Sequence, residues 1–138
     1  MVLDHECFRA ILLYCERNCY YDTQSEKQMD ISFYKICNAE ELKIYSNDNK
    51  HYIVSKLFEG GYVNGYVIPK NNFETFRRAN ITSLTLKGHD MVDNISNDTI
   101  WNGVKDKIKS GGRVSISILS QIVGETAAAY SKKMMGIE

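Results

Sequence analysis

Tyr52-Ile53-Val54-Ser55-Lys56-Leu57-Phe58-Glu59-Gly60-Gly61-Tyr62-Val63, followed further along by Leu84-Thr85-Leu86-Lys87-Gly88-His89-Asp90-Met91-Val92, decides the fold. Ile53, Val54, Leu57 and Phe58 recur at helical spacing, and Ser46 or Asn47 can cap the start, so a helix is predicted over 46–59. Gly60-Gly61 ends it, since glycine accepts the left-handed conformation of a helix stop. Tyr62 to Ile68 is aromatic and β-branched and is predicted as a strand. Pro69 closes that strand because it has no N–H to donate. A polar loop over 70–80 carries Lys70, Arg77 and Arg78, and Ile81 to Leu84 returns as a second strand. Thr85 caps the next helix, with Gly88 at the position that receives the hydroxyl and Met91, Val92 and Ile95 on the inner face.

Helix, glycine stop, strand, loop, strand and helix is the order of the second half of a winged helix-turn-helix unit. Outward from it, Asp4 is a plausible cap for an amphipathic helix over about 4–18, with Phe8, Ile11, Leu12, Cys15 and Cys19 at helical spacing. Residues 20–29 are polar without a clean period and are expected to be a loop. Ile31, Phe33 and Ile36 suggest a short strand around 30–36, and residues 39–42 can form one helical turn. Asp98 can cap a helix over about 99–110, with Trp101, Val104 and Ile108 facing inward and Gly111-Gly112 breaking it. Val114, Ile116 and Ile118 alternate like a strand. However, Ile118, Leu119, Ile122, Val123 and Ala127 then keep helical spacing, and a helix over about 116–134 is expected. The expected architecture is α+β. A winged helix-turn-helix-like core over 1–96 carries a small antiparallel β-hairpin wing, and a helical extension over 97–138 packs on that core or forms an oligomer interface.

Composition bounds the function. A chain of 138 residues, 43% hydrophobic and 25% charged, holds enough apolar material for a core without metal or disulfide support. Seventeen basic residues balance seventeen acidic ones, which weakens a nucleic-acid role, because phosphate neutralisation supplies most non-specific affinity. The charge is uneven: residues 1–45 hold 5 basic and 8 acidic groups, whereas residues 99–138 hold 6 and 3. The four cysteines, Cys7, Cys15, Cys19 and Cys37, contain no CxxC pair and read as structural thiols, with a Cys/His site using His5 as the alternative. Asp4, His5, Glu6 and Arg9 interrupt the first apolar run, and no run approaches a membrane span, so a cytoplasmic protein without membrane contact is expected.

The segment from Tyr52 through Val63, then Leu84-Thr85-Leu86-Lys87-Gly88-His89-Asp90 with Asp93, Asn94 and Ile95, then Asp98-Thr99-Ile100-Trp101, resembles an uncharacterised family of phage and bacterial proteins, the domain of unknown function numbered 2513. The resemblance covers roughly the whole chain and is strongest over 46–108. Two departures stand out. Tyr52 is followed by Ile53 where such proteins often have histidine, and extra residues lie between the first helix and Ser46. The resemblance implies a winged-helix-like fold and a phage or mobile-element context, and supplies no catalytic residues.

The residues bear on three functions. A protein-interaction or self-association module is the primary expectation. Its interface is the stripe Ile118, Leu119, Ile122, Val123, Tyr130 and Met134, because an uncovered apolar stripe marks an interface. The partner is a second copy or another protein. The alternative is a DNA-binding regulator. Asn47, Asn49, Lys50, His51, Ser55 and Lys56 would enter the groove, and Lys70, Arg77 and Arg78 of the wing would contact phosphates. Catalysis is not expected. His5, His51 and His89 are scattered, and no phosphate loop, HExxH or GxSxG is present. No cofactor, metal or small-molecule ligand is expected, and Trp101 is read as a core anchor rather than a stacking residue.

Overall fold

A computed structural model describes residues 2–69, 76–111 and 113–136. The first helix, α1 (His5–Asn18), starts where the Asp4 carboxylate accepts the Cys7 N–H at 3.1 Å, and it buries Cys7, Phe8, Ile11, Leu12 and Cys15. A hairpin follows, β1 (Tyr20–Asp22) against β2 (Lys27–Met29), where a loop was expected. Its strands carry no alternation of burial, so periodicity is silent there. The turn is instead organised by Asp22, which accepts from the Gln24 N–H at 3.2 Å and the Ser25 hydroxyl at 2.7 Å.

The expected strand over 30–36 is mostly helix. Only β3 (Ile31–Ser32) is extended, and α2 (Phe33–Asn38) begins at once, because the Ser32 hydroxyl accepts the Lys35 N–H at 3.2 Å. The single turn expected over 39–42 is a 3-10 helix, Glu40–Leu42, which buries Leu42. Helix α3 (Asn47–Glu59) is capped by Ser46, and its chain reverses through Gly60 and Gly61, the latter at φ +76°.

Strands β4 (Val63–Ile68) and β5 (Arg78–Leu84) pair antiparallel, as the fold reading requires. β5 begins three residues before the expected Ile81: Arg78, Ala79 and Asn80 pair with Ile68, Val67 and Tyr66. Lys70 and the loop residues through 75 lie outside the described residues. A bulge at Asn64/Gly65 sets the twist. Gly65 sits at φ +147°, where a Cβ would fall 1.9 Å from the Asn80 carbonyl oxygen. β3 pairs with the other edge of β5, giving a three-stranded sheet in the order β3–β5–β4. Along the chain the central elements run α1, β3, α2, α3, β4, β5.

Helix α4 (Leu86–Ile95) is capped by Thr85, whose hydroxyl accepts the Gly88 N–H at 3.0 Å, and it buries Met91, Val92 and Ile95. α5 (Asp98–Gly111) is capped by Asn97, not by the expected Asp98. The Asn97 side chain accepts the Ile100 N–H at 3.0 Å, while Asp98 turns to Arg9 at 3.3 Å. α6 (Ile116–Met134) follows the expected bounds with Ser115 as cap. At about 1.5 Å per residue its 19 residues span about 28 Å.

The two final helices join the central core. Ile100, Trp101, Val104, Ile108, Leu119, Val123 and Ala127 belong to one continuous buried cluster with α1, α3 and the sheet. α6 lies on α4 and α5, and the Lys107 ammonium donates to the Thr126 hydroxyl at 2.9 Å across the α5–α6 contact. This divides the expected interface stripe. Leu119 and Val123 are fully covered within the chain, Ile122 and Tyr130 are half-buried, and only Ile118 and Met134 stand exposed. The helix is amphipathic because it has a partner in its own chain.

Candidate interaction surface

Helix α3 presents less of its polar sequence than its spacing suggested. Lys50 is 1% exposed, and Ser55 is equally buried. The Lys50 ammonium donates to the Cys37 carbonyl at 3.3 Å. That oxygen belongs to the last turn of α2, where helix carbonyls lack partners and the dipole favours a cation. Lys50 therefore clamps α2 to α3 and does not stand free on the helix surface. The Ser55 hydroxyl donates back to the Tyr52 carbonyl at 2.6 Å, within its own helix.

His51 is also engaged inward. Its Nε2 lies 2.9 Å from the Phe76 carbonyl; a carbonyl only accepts, so Nε2 carries the proton. The ring stacks on Phe76 at 3.8 Å, and both meet the Phe33 ring edge-on, at 5.5 and 5.2 Å. This three-ring contact joins the β4–β5 connection to α2 and α3. Lys56 pairs with Glu59 at 3.0 Å and lies over the Tyr52 ring. Of the six groove positions, Asn47 is exposed and Asn49 half-buried.

If Lys50 is structural, Lys50→Met will lower the unfolding free energy by about 1–2 kcal/mol, since its stem is matched but a hydrogen bond from a charged donor is lost. Urea titration checks the loss, with duplex affinity, measured by anisotropy, unchanged. Weakened duplex binding at unaltered stability would return Lys50 to a groove role.

Arg77 and Arg78 fall together on a different surface. The outer face of the sheet carries Ser32, Asn80 and Tyr66 side by side, with Ile68 paired to Arg78 beyond them. α2 brings Phe33 and Tyr34 to the rim. These side chains enclose an open hollow of about 500 Å³, lined by Phe33, Tyr34, Tyr66, Arg77, Arg78 and Asn80, with no carboxylate among its described lining. Tyr34 is 76% exposed and Tyr66 48%. The floor is already bonded: the Asn80 amide donates to Asp30 at 3.0 Å and the Ser32 hydroxyl caps α2. Neither tyrosine stands out in the sequence. The usable signal was the outward register of Asn64, Tyr66 and Ile68 in β4, together with the Ser32 cap that turns Tyr34 outward on a helix rather than along a strand.

The cysteines are free, Cys7 and Cys15 buried and Cys19 and Cys37 half-buried. Burial, aided by the Asp4 charge, pushes the Cys7 thiol up to about 12, which suits a packing role. His5 lies against Trp101 at 6.0 Å and His89 is exposed, so the three histidines are not assembled. Among the described residues no group of three His, Cys, Asp or Glu side chains is placed to hold a metal, and no helix is long and apolar enough to cross a membrane. Trp101 is buried as a core anchor.

The family model described as "Hypothetical protein (DUF2513)" matches residues 2–114, and the chain belongs to that family. The match ends before α6. Comparison with curated proteins and with solved structures gives no match.

Proposed function

We propose that the protein is a non-catalytic winged-helix module, of phage or mobile-element context and cytoplasmic, that acts by docking to another protein. The order α1–β3–α2–α3–β4–β5 with sheet order β3–β5–β4 supports the winged-helix reading, α2 and α3 standing as the helix-turn-helix pair and β4–β5 as the wing. The observation that carries the docking role is the division of labour between α3 and the wing. Lys50 ties α3 to α2 and His51 ties α3 to the β4–β5 connection, with Ser55 bonded back into its own helix, while the exposed tyrosine and arginine residues lie beside the sheet. Tyrosine and arginine are the residue types enriched at protein interfaces. Self-association through α6 is disfavoured by the covering of Leu119 and Val123.

A photo-crosslinking residue at Tyr34, in the cell that carries the protein, should trap a discrete protein. The same residue at exposed Thr99 on α5 should not. Equal labelling at both positions, or none at either, would discard the docking role.

One observation favours the second reading, DNA binding. Arg77 and Arg78 are exposed at the wing, where a duplex backbone would pass. In that case, replacing both with alanine lowers the salt slope of duplex binding by about two, one for each lost phosphate contact.

A further inference from the structure

We propose that the hollow between α2 and the wing strands takes a short acidic segment of the partner protein, its carboxylates on Arg77 and Arg78 and an apolar side chain between Tyr34 and Tyr66. This rests on the docking reading above and names the chemistry of the partner. Arg77 and Arg78, consecutive and both exposed, line one hollow with no carboxylate among its described lining, and the nearby Asp30 carboxylate is engaged by the Asn80 amide. Guanidinium groups bind carboxylates through paired, charge-assisted hydrogen bonds. The aromatic walls supply the apolar contact: two largely exposed tyrosine rings backed by Phe33. On the floor the Ser32 hydroxyl accepts from the Lys35 N–H and can still donate its proton to an arriving carboxylate, while the Asn80 amide spends one donor on Asp30. The arginines and the rings supply the charge and the apolar contact.

A nucleic acid is the less favoured occupant. A strand needs cations spaced along successive phosphates, and the described lining of this hollow holds two, Arg77 and Arg78. With net charge zero, no overall field gathers a polyanion.

The test is selection from a displayed library of random dodecapeptides on the full chain, counter-selected on the double variant Arg77→Glu/Arg78→Glu, whose fold is checked by circular dichroism. Selected peptides should carry clustered Asp or Glu beside an aromatic or aliphatic residue. A fluorescein-labelled copy of the best should bind the double variant at least about tenfold more weakly, as loss of charge-assisted hydrogen bonds requires. Tyr34→Ala/Tyr66→Ala should weaken it as well. If the double variant fails to fold, Arg77→Gln/Arg78→Gln replaces it with the same expectation. Selection of peptides without acidic residues, or no enrichment over the double variant, overturns the proposal. So does tighter, arginine-dependent binding of a labelled oligothymidylate. A partner still crosslinked at Tyr34 alongside any of these results would leave the docking role standing and remove only its acidic chemistry.

Discussion

Gly88→Ala should destabilise the protein by about 3 kcal/mol or more, at or beyond the upper end of ordinary overpacking. In an open helix the same change would stabilise by up to about 1 kcal/mol, through propensity alone. The sign reverses because of what a methyl group would meet. A Cβ at Gly88 would lie 2.1 Å from the Tyr62 carbonyl oxygen and 3.1 Å from its carbonyl carbon. Backbone cannot swing aside as a side-chain tip can. The start of α4 is also tied to the turn between α3 and β4. The Thr85 N–H donates to the Tyr62 carbonyl at 3.0 Å, the Thr85 hydroxyl to the Gly61 carbonyl at 2.5 Å and the Lys87 ammonium to the Gly60 carbonyl at 2.9 Å. Relieving the clash means breaking those bonds. Gly124→Ala in α6 is the internal control: no neighbour lies within 4 Å, so it should stabilise by about 0.5–1 kcal/mol. Urea titration of both variants checks the contrast. Stability of Gly88→Ala within about 0.5 kcal/mol of the parent would mean that α4 does not approach the turn this closely.

Trp101→Ala should cost about 3–5 kcal/mol, the range for removing a large buried aromatic side chain. Trp101 is 3% exposed and joins α5 to α1. Its indole N–H donates to Glu6 at 2.8 Å, and the Arg9 guanidinium lies 5.3 Å from its ring centre. Arg9 in turn donates to the Ile95 carbonyl at 2.7 Å and pairs with Asp98, so one side chain meets the ring, the end of α4 and the start of α5. Trp101→Phe should retain most of the stability, because Glu6 is exposed and can return to water. Since Trp101 is the only tryptophan, circular dichroism must report on the alanine variant. A loss below about 1 kcal/mol would place α5 outside the cooperative core.

The wedge of α3, β4, β5 and α4 was legible because each boundary has local chemistry. Ser46 and Thr85 cap, Gly60-Gly61 reverses the chain, and the Val63, Val67, Ile81 and Leu84 side chains point to the core. The β1–β2 hairpin was not legible. Its strands bury nothing, and its turn is built from Asp22 hydrogen bonds that leave no hydrophobic period. α2 is hidden in the sequence because Ile31 belongs to a strand while Phe33 and Ile36 belong to a helix, and together they imitate one alternating segment. The proposed docking surface was half legible. Arg77 and Arg78 were recognised as exposed cations, but Tyr34 and Tyr66 come from separate elements and meet only in space.

Local sequence determined where helices and strands begin and end, because capping hydroxyls, paired glycines and apolar spacing act within a few residues. It also determined that α6 is an amphipathic helix. What covers that apolar stripe, whether Lys50 faces a groove or the last turn of α2, and which rings stand beside the wing arginines were decided by tertiary structure alone. Each depends on residues far apart in the chain arriving at the same place. Burial and partner choice are properties of that meeting, and neither is written in any single segment.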